Sequence, residues 1–447
     1  MTAVEASPID LTLLPVGIGL NAGRMHLHGI DLGTLAEQFG TPLFVYDEDE
    51  IRARARLLVE GFAPGTVAYA GKAFLAGAMA RLISETDLHL DVASGPELEI
   101  AVHAGVDPGR IHMHGNAKSE DEIRAALQHR IGHIVADSDS EIDVIARLSR
   151  ELGVTAPVML RVTPGVSGET HPSIDTGTAS SKFGLDIASG AAARAVARLS
   201  DEPSIDWRGI HAHIGSQVRS IAAFHESAFT VISFAAELAA RGHAVREINV
   251  GGGFAVRYHG DDVAPTLSTF IPALRAEVDA MMQSAGLPPE TAITIEPGRA
   301  LVAPAALTLY RVLSTKTSGS GIRYVAVDGG MSDNPRPALY GARYEAFLPE
   351  RAAEARTETV AIAGKHCEQG DVLIPKGHLP PGAREGDLLA TPVTGAYGYS
   401  MSSNYNAALR AAVVFISSRG VRLVRRRETV ADLEALDVVE APHALGS

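Results

Sequence analysis

One unit recurs eight times between residues 66 and 296, and this recurrence constrains the fold more than anything else in the chain. A short β-branched or apolar run is followed by a polar or glycine turn, then by a longer stretch with apolar residues three and four apart. The runs are TVAYA (66–70), LHLDVA (88–93), RIHMH (110–114), HIVAD (133–137), VMLRV (158–162), GIHAHI (209–214), EINV (247–250) and AITIE (292–296). Strands alternating with amphipathic helices imply a parallel sheet. Eight such units in about 250 residues are the content of a closed α/β fold, the (β/α)8 TIM-like barrel. A doubly wound open sheet is the structural alternative; it usually has fewer strands, and no G-x-G-x-x-G follows the first run. Among the helical stretches, SEDEIRAALQHR opens on Ser119 with acidic residues in its first turn, an N-cap signature.

Beyond residue 300 the texture changes. ALTLYRVLSTKTSGSGIRYVAVDGG, TVAIAGKHCEQGDVLI and AALRAAVVFISSRGVRLVRRR are strand-like runs broken by Gly, Pro and Ser, which predicts a smaller, mostly β domain. The early segment GRMHLHGIDLG is also strand-like. The expected division is 1–38, N-terminal strands joining the β domain; 39–303, the barrel; and 304–447, the C-terminal β domain. A net charge of -14 argues against nucleic acid or an anionic membrane as partner. Cys367 is the one cysteine, so no intramolecular disulfide forms and a reducing, cytoplasmic setting is expected. The opening MTAVEASPIDLTLLPVG has acids where a secretory signal has cations. No uninterrupted apolar run approaches the roughly 18–20 residues of a membrane span.

In a barrel of this type the chemistry sits at the C-terminal ends of the strands. Those ends carry Lys72; Ser94 and Glu97; His114, Asn116 and Lys118; Asp137; Arg161; HAHIGSQ; Gly251-Gly252-Gly253; and Glu296 before Pro-Gly-Arg. Barrel enzymes frequently bind phosphate with the loops after strands 7 and 8. VGGGF lets backbone N–H groups approach an anion, and EPGR adds Gly298 and the cation Arg299. A triple glycine is also the composition of a flexible turn; its place after strand 7 favours phosphate.

Across the mouth stands Lys72, in VAYAGKAFLAGA, with no carboxylate within ten residues on either side. A desolvated amine without a carboxylate partner gives up its proton more readily. A phosphate site opposite such a lysine suggests pyridoxal phosphate, whose aldehyde bonds a lysine amine and whose ring accepts electrons. Glu296 fits as the partner of the ring nitrogen. His213, beside Ser216, is placed to cover one ring face, although a satisfied core histidine is the plainer alternative. No metal is expected.

At this point the residues form a pattern. YAGKAF, HGNAKS, HAHIGSQ, VGGGF, EPGR, VDGGMSDNPRPALYG, KHCEQGD and GAYGYSMSSNYN, in this order from about residue 25 to 420, resemble the fold-type III pyridoxal-phosphate decarboxylases, and within them the diaminopimelate decarboxylases. The resemblance implies an alanine-racemase-like barrel, a C-terminal β domain and a head-to-tail homodimer with shared active sites. It implies that Lys72 bonds the cofactor, that His213 stacks on its ring, and that Ser216, Gly251, Gly252, Gly253 and the 296–299 segment hold phosphate and ring nitrogen. Arg299, Arg336 and Tyr340 would grip an amino-acid substrate, and Tyr397 would contact cofactor and substrate. Cys367, as proton donor, and Glu368, meeting the substrate amine, would come from the other subunit. The implied reaction is decarboxylation of meso-diaminopimelate to lysine.

Two stretches depart from the family pattern. Gln369 stands where the family has serine. The segment at 166–184 keeps Thr170-His171 and Lys182-Phe183-Gly184 but has Ser180-Ser181 where an acid usually precedes that lysine. A sister decarboxylase acting on another diamino or carrier-linked amino acid is therefore the alternative, and a non-catalytic cofactor-binding relative is the third. Retention of Lys72, Cys367 and Glu296 together argues against the third.

Overall fold

The structure is a computed structural model that describes residues 9–168, 176–178 and 180–438. Eight parallel strands close on themselves: β1 (Thr66–Ala70), β2 (His89–Val92), β3 (Ile111–Met113), β4 (His133–Ala136), β5 (Ala156–Thr163), β6 (Ile205–His211), β7 (Glu247–Gly252) and β8 (Ala292–Glu296). Each pairs with the next, and β8 returns to β1, with Thr294 opposite Thr66 and Ile295 opposite Val67. The expected barrel is thus the observed one. β6 begins four residues earlier than GIHAHI indicates, because DEPSIDW alternates polar and apolar residues and the ladder slips between Trp207 and Gly209.

The barrel interior is unusual for its class, since polar side chains fill part of it. His112 and His133 meet ring to ring at 4.6 Å, and Thr294 Oγ1 donates to Glu247 Oε1 at 2.8 Å. The outer helices follow ordinary rules. Helix Glu120–His129 starts on Ser119 with a full capping box: Glu122 N–H donates to Ser119 Oγ (3.2 Å) and Ser119 N–H to Glu122 Oε2 (2.9 Å). Helix Ile221–Ala240 alone, among the described residues, is long and apolar enough to cross a membrane. It is the barrel helix after β6, and its buried Phe224 stacks on Phe254 at 5.2 Å.

The second sheet contains Ala306–Thr317, Arg323–Val327, Glu358–Ala363, Val372–Leu379, Leu388–Pro392, Ala412–Ser417 and Gly420–Arg425. Its central strand comes from the start of the chain: Leu43–Asp47 lies between Ala306–Thr317 and Ala412–Ser417, antiparallel to the first and parallel to the second. The run GRMHLHGIDLG does not enter this sheet. Its strands Arg24–Leu27 and Ile30–Asp31 pair with Ile18–Asn21 in a separate three-stranded sheet. That sheet packs on the β domain through Met25 and Leu27 in one apolar cluster with Leu307, Leu309 and Val414.

The capping box is expected to contribute about 1 kcal/mol to its helix. Ser119→Ala should therefore accelerate amide exchange across Glu120–His129, whereas Ser119→Asp, which can still cap, should not. Unchanged exchange in the alanine variant would show the cap to be dispensable.

Candidate active site

The C-terminal ends of the barrel strands, β4 excepted, open on one cavity of about 420 Å³, within the range of small-molecule sites. Lys72 reaches it from a short 3-10 turn, Gly71–Ala73, that follows β1. The turn is tight at Gly71, where a Cβ would lie 2.8 Å from the Asp91 carbonyl oxygen. The second domain secures it: the Tyr397 N–H and the Ser400 hydroxyl both donate to the Ala73 carbonyl, each at 2.9 Å.

On the far side Glu296 ends β8 and is buried. Its Oε1 accepts from Asn249 Nδ2 at 2.7 Å, and its Oε2 lies 3.1 Å from His211 Nε2. His114 Nε2 is 3.2 Å from Oε1. Burial works against the charge, but His211 and His114 outweigh it and hold this carboxyl well below the ordinary range. His211, His114 and Glu296 bring ligating atoms within 4.8 Å of one another, a spacing a cation could use. Burial opposes a charge on His114 as well, yet Glu296 and Asp91 raise it to about 9.

His213 lines the cavity beside these groups. Its Nδ1 accepts from the Gly252 N–H at 3.2 Å, which leaves the ring proton on Nε2. Burial and the charges of Lys72 and Arg161 drive its pKa well below the ordinary histidine range, so the ring is neutral.

Arginines and tyrosines form the remaining wall. Arg299 donates to Ser216 Oγ through Nη2 (2.9 Å) and to Tyr258 Oη through Nη1 (2.5 Å), with its guanidinium 4.7 Å from the Tyr397 ring centre. Arg336, equally buried, lies 4.4 Å over the Tyr258 ring and donates to Tyr344 Oη. Tyr340 and Tyr397 line the cavity as well. Two glycines sit in the same wall with no room for a side chain: a Cβ on Gly253 (φ +101°) would lie 2.1 Å from the Gly215 carbonyl oxygen, and one on Gly298 3.0 Å from Ala70 Cβ.

Several expected site residues are elsewhere. Gly251 and Gly252 belong to β7, and their N–H groups are used by Asn249 Oδ1 (2.9 Å) and His213 Nδ1. They are glycine because a Cβ would strike the neighbouring strands, 2.4 Å from the Ala212 oxygen and 1.9 Å from the Glu296 oxygen. Of the three glycines only Gly253 faces the cavity. Cys367 is exposed, and neither it nor Glu368 lines the cavity of its own chain. Their loop is fixed by Asp371, which accepts from the His366 and Met331 N–H groups at 2.9 and 2.7 Å. Thr170 and His171 lie outside the described residues. Phe183 lines the cavity under the Arg161 guanidinium, 4.3 Å away. Asp91, Asn249, Tyr258 and Tyr344 were not singled out. Asp91 and Asn249 each lie two residues from another inward polar residue, in HLD and EIN, and that spacing was the available signal.

These residues fit pyridoxal phosphate. An amine, a neutral imidazole and an ionised buried carboxylate share one space with a wall of Gly253, Gly298, Ser216 and Arg299 that leaves room for an anion. Residues 48–303 match the family described as pyridoxal-dependent decarboxylase, pyridoxal binding domain. The chain is 46% identical over 422 residues to the diaminopimelate decarboxylase of Bacillus subtilis, covering 93% of this chain and 95% of that protein. It is 42% identical over 426 residues to that of Mycobacterium tuberculosis, covering 93% and 95%. The crystal structure of diaminopimelate decarboxylase from M. jannaschii in complex with L-lysine superposes with a TM-score of 0.89 at 36% identity, covering 95% of this chain and 98% of that one. The chain belongs to the diaminopimelate decarboxylase family of pyridoxal-dependent decarboxylases.

Proposed function

We propose that this protein decarboxylates meso-diaminopimelate to L-lysine and carbon dioxide, with pyridoxal phosphate held at the mouth of its barrel. The observation that carries the reading is the cavity itself, where Lys72, His213 and Glu296 stand beside two buried guanidiniums, Arg299 and Arg336. When bound, the cofactor supplies an electron sink for the pair left behind as carbon dioxide departs.

The protein's own groups do the rest. Lys72 would offer the amine that holds the cofactor's aldehyde. Neutral His213 would lie against the ring without adding a competing charge. Glu296, already ionised, would pair with the ring nitrogen and keep the sink strong. Ser216, Arg299, Gly253 and Gly298 would hold the phosphate. Arg336, with Tyr340 and Tyr397, meets the substrate; a planar guanidinium suits a second, non-reacting carboxylate. A substrate such as ornithine has no such carboxylate.

The proton that replaces carbon dioxide needs a donor; Lys72 is in the cavity as understudy, and no thiol lines it among the described residues of one chain. We assign that donor to Cys367 of the partner subunit in a head-to-tail homodimer, with Glu368 of the partner subunit meeting the substrate amine. The exposure of Cys367 on an anchored loop supports this assembly.

Carbon dioxide should be released from meso-diaminopimelate, with lysine as product, and not from ornithine or arginine; release only from another amino acid would overturn the substrate. Lys72→Ala should lose the visible absorbance of bound cofactor. Cys367→Ala should keep it and lose turnover by about 10²–10⁴. Mixing the two inactive variants should restore activity if the sites are shared, and no restoration would contradict the dimer. Arg336→Gln should raise KM about tenfold or more, from the loss of a charged hydrogen bond worth about 1.5–3 kcal/mol.

A further inference from the structure

His114 has no part in the function proposed above, yet it sits at the centre of the site's electrostatics. It follows β3 and is nearly enclosed, with Nε2 3.5 Å from Asp91 Oδ1 and 3.2 Å from Glu296 Oε1. One imidazole thus lies between carboxylates from β2 and β8. We propose that His114 is a positioning residue for the decarboxylation, a fixed cation that aims Glu296 and keeps its carboxylate a weak base toward the cofactor's ring nitrogen. This rests on the reading of Glu296 as that nitrogen's partner.

The surroundings leave His114 little choice. From β2 it faces Asp91, from β8 Glu296, and from β6 His211, whose ring centre is 4.9 Å away. Arg161 on β5 acts on Glu296 and His211 from further off. His211 is a neutral donor, because burial lowers its pKa and outweighs the pull of Glu296. His114 is therefore the imidazole of the pair that carries charge, and that charge persists through neutral pH until about 9. Asp91 Oδ1 also lies 3.3 Å from His112 Nδ1, and His112 Nε2 is 3.0 Å from His89 Nδ1. His89, which burial lowers to about 4, adds no competing cation.

The consequence is a matter of sign. Where a carboxylate and a ring nitrogen share one proton, a cation beside the carboxylate lowers its proton affinity and leaves the proton on nitrogen. A protonated nitrogen is the stronger electron sink. Without His114, Glu296 would be more basic, the proton would move toward it, and the bound cofactor would titrate at higher pH.

The first measurement needs no functional variant. In wild-type protein without cofactor, labelled with 13C at histidine Cε1, the His114 resonance (assigned by its loss in His114→Gln) should titrate near pH 9. A midpoint at or below the ordinary value of about 6.5 would overturn the proposal. In the holoenzyme, His114→Gln should move the pH midpoint of the cofactor's visible absorbance upward by about one unit or more, and lower kcat with KM little changed. A variant that melts earlier but keeps the wild-type midpoint would show His114 to be only structural, which also overturns it. Failure of the wild type to take up pyridoxal phosphate would instead remove the reading of the whole site.

Discussion

The structure depends on the cost of keeping Glu296 ionised inside a closed barrel. Moving a lone carboxylate out of water costs several kcal/mol even after relaxation, so the charge survives only if its oxygens are met by donors. Asn249 at 2.7 Å and His211 at 3.1 Å meet them from β7 and β6, and His114, at the end of β3, stands 3.2 Å away as an ion-pair partner. None of these is near Glu296 in sequence; barrel closure brings them together. The register that places Asn249 opposite both His211 and Thr294 is thus the register that makes the carboxylate tolerable.

The second domain contributes by gripping the first at the lysine. Tyr397 and Ser400 bind the carbonyl of Ala73, one residue beyond Lys72, and Tyr397 also lies under Arg299. Tyr397 therefore touches both ends of the cavity, the lysine turn through its backbone N–H and Arg299 through its ring. Arg336 continues this wall with Tyr344 and Tyr258 packed against it, so groups from both domains face one space. Anything that shifts the β domain would move the substrate-facing side of the cavity relative to its catalytic floor.

Much of this was legible in the sequence, for physical reasons that also mark where legibility ended. Eight strand–helix units specify a barrel because parallel strands need crossovers and helices need an apolar face. Lys72, His213, Glu296 and Arg299, which line the cavity, stand out because strand ends are where a barrel exposes chemistry, whereas Arg336, outside the barrel, is pointed to only by the family resemblance. Gly251 and Gly252 show how one composition serves two purposes: a glycine that admits an anion looks, in sequence, like a glycine that admits a neighbouring strand. The polar interior is written at period two, in HLD, HMH, HAH, EIN and TIE, but of these runs only His114, His213 and Glu296 stand out as strand-end chemistry. Cys367 lies outside the cavity of its own chain, and only the family resemblance assigns it to the other subunit's site.

The account stands or falls on where the proton lies between Glu296 and the ring. Binding pyridoxal phosphate labelled with 15N at the ring nitrogen and recording its chemical shift measures this directly. The account predicts the shift of a protonated pyridinium at neutral pH. The shift of a neutral pyridine nitrogen would contradict it.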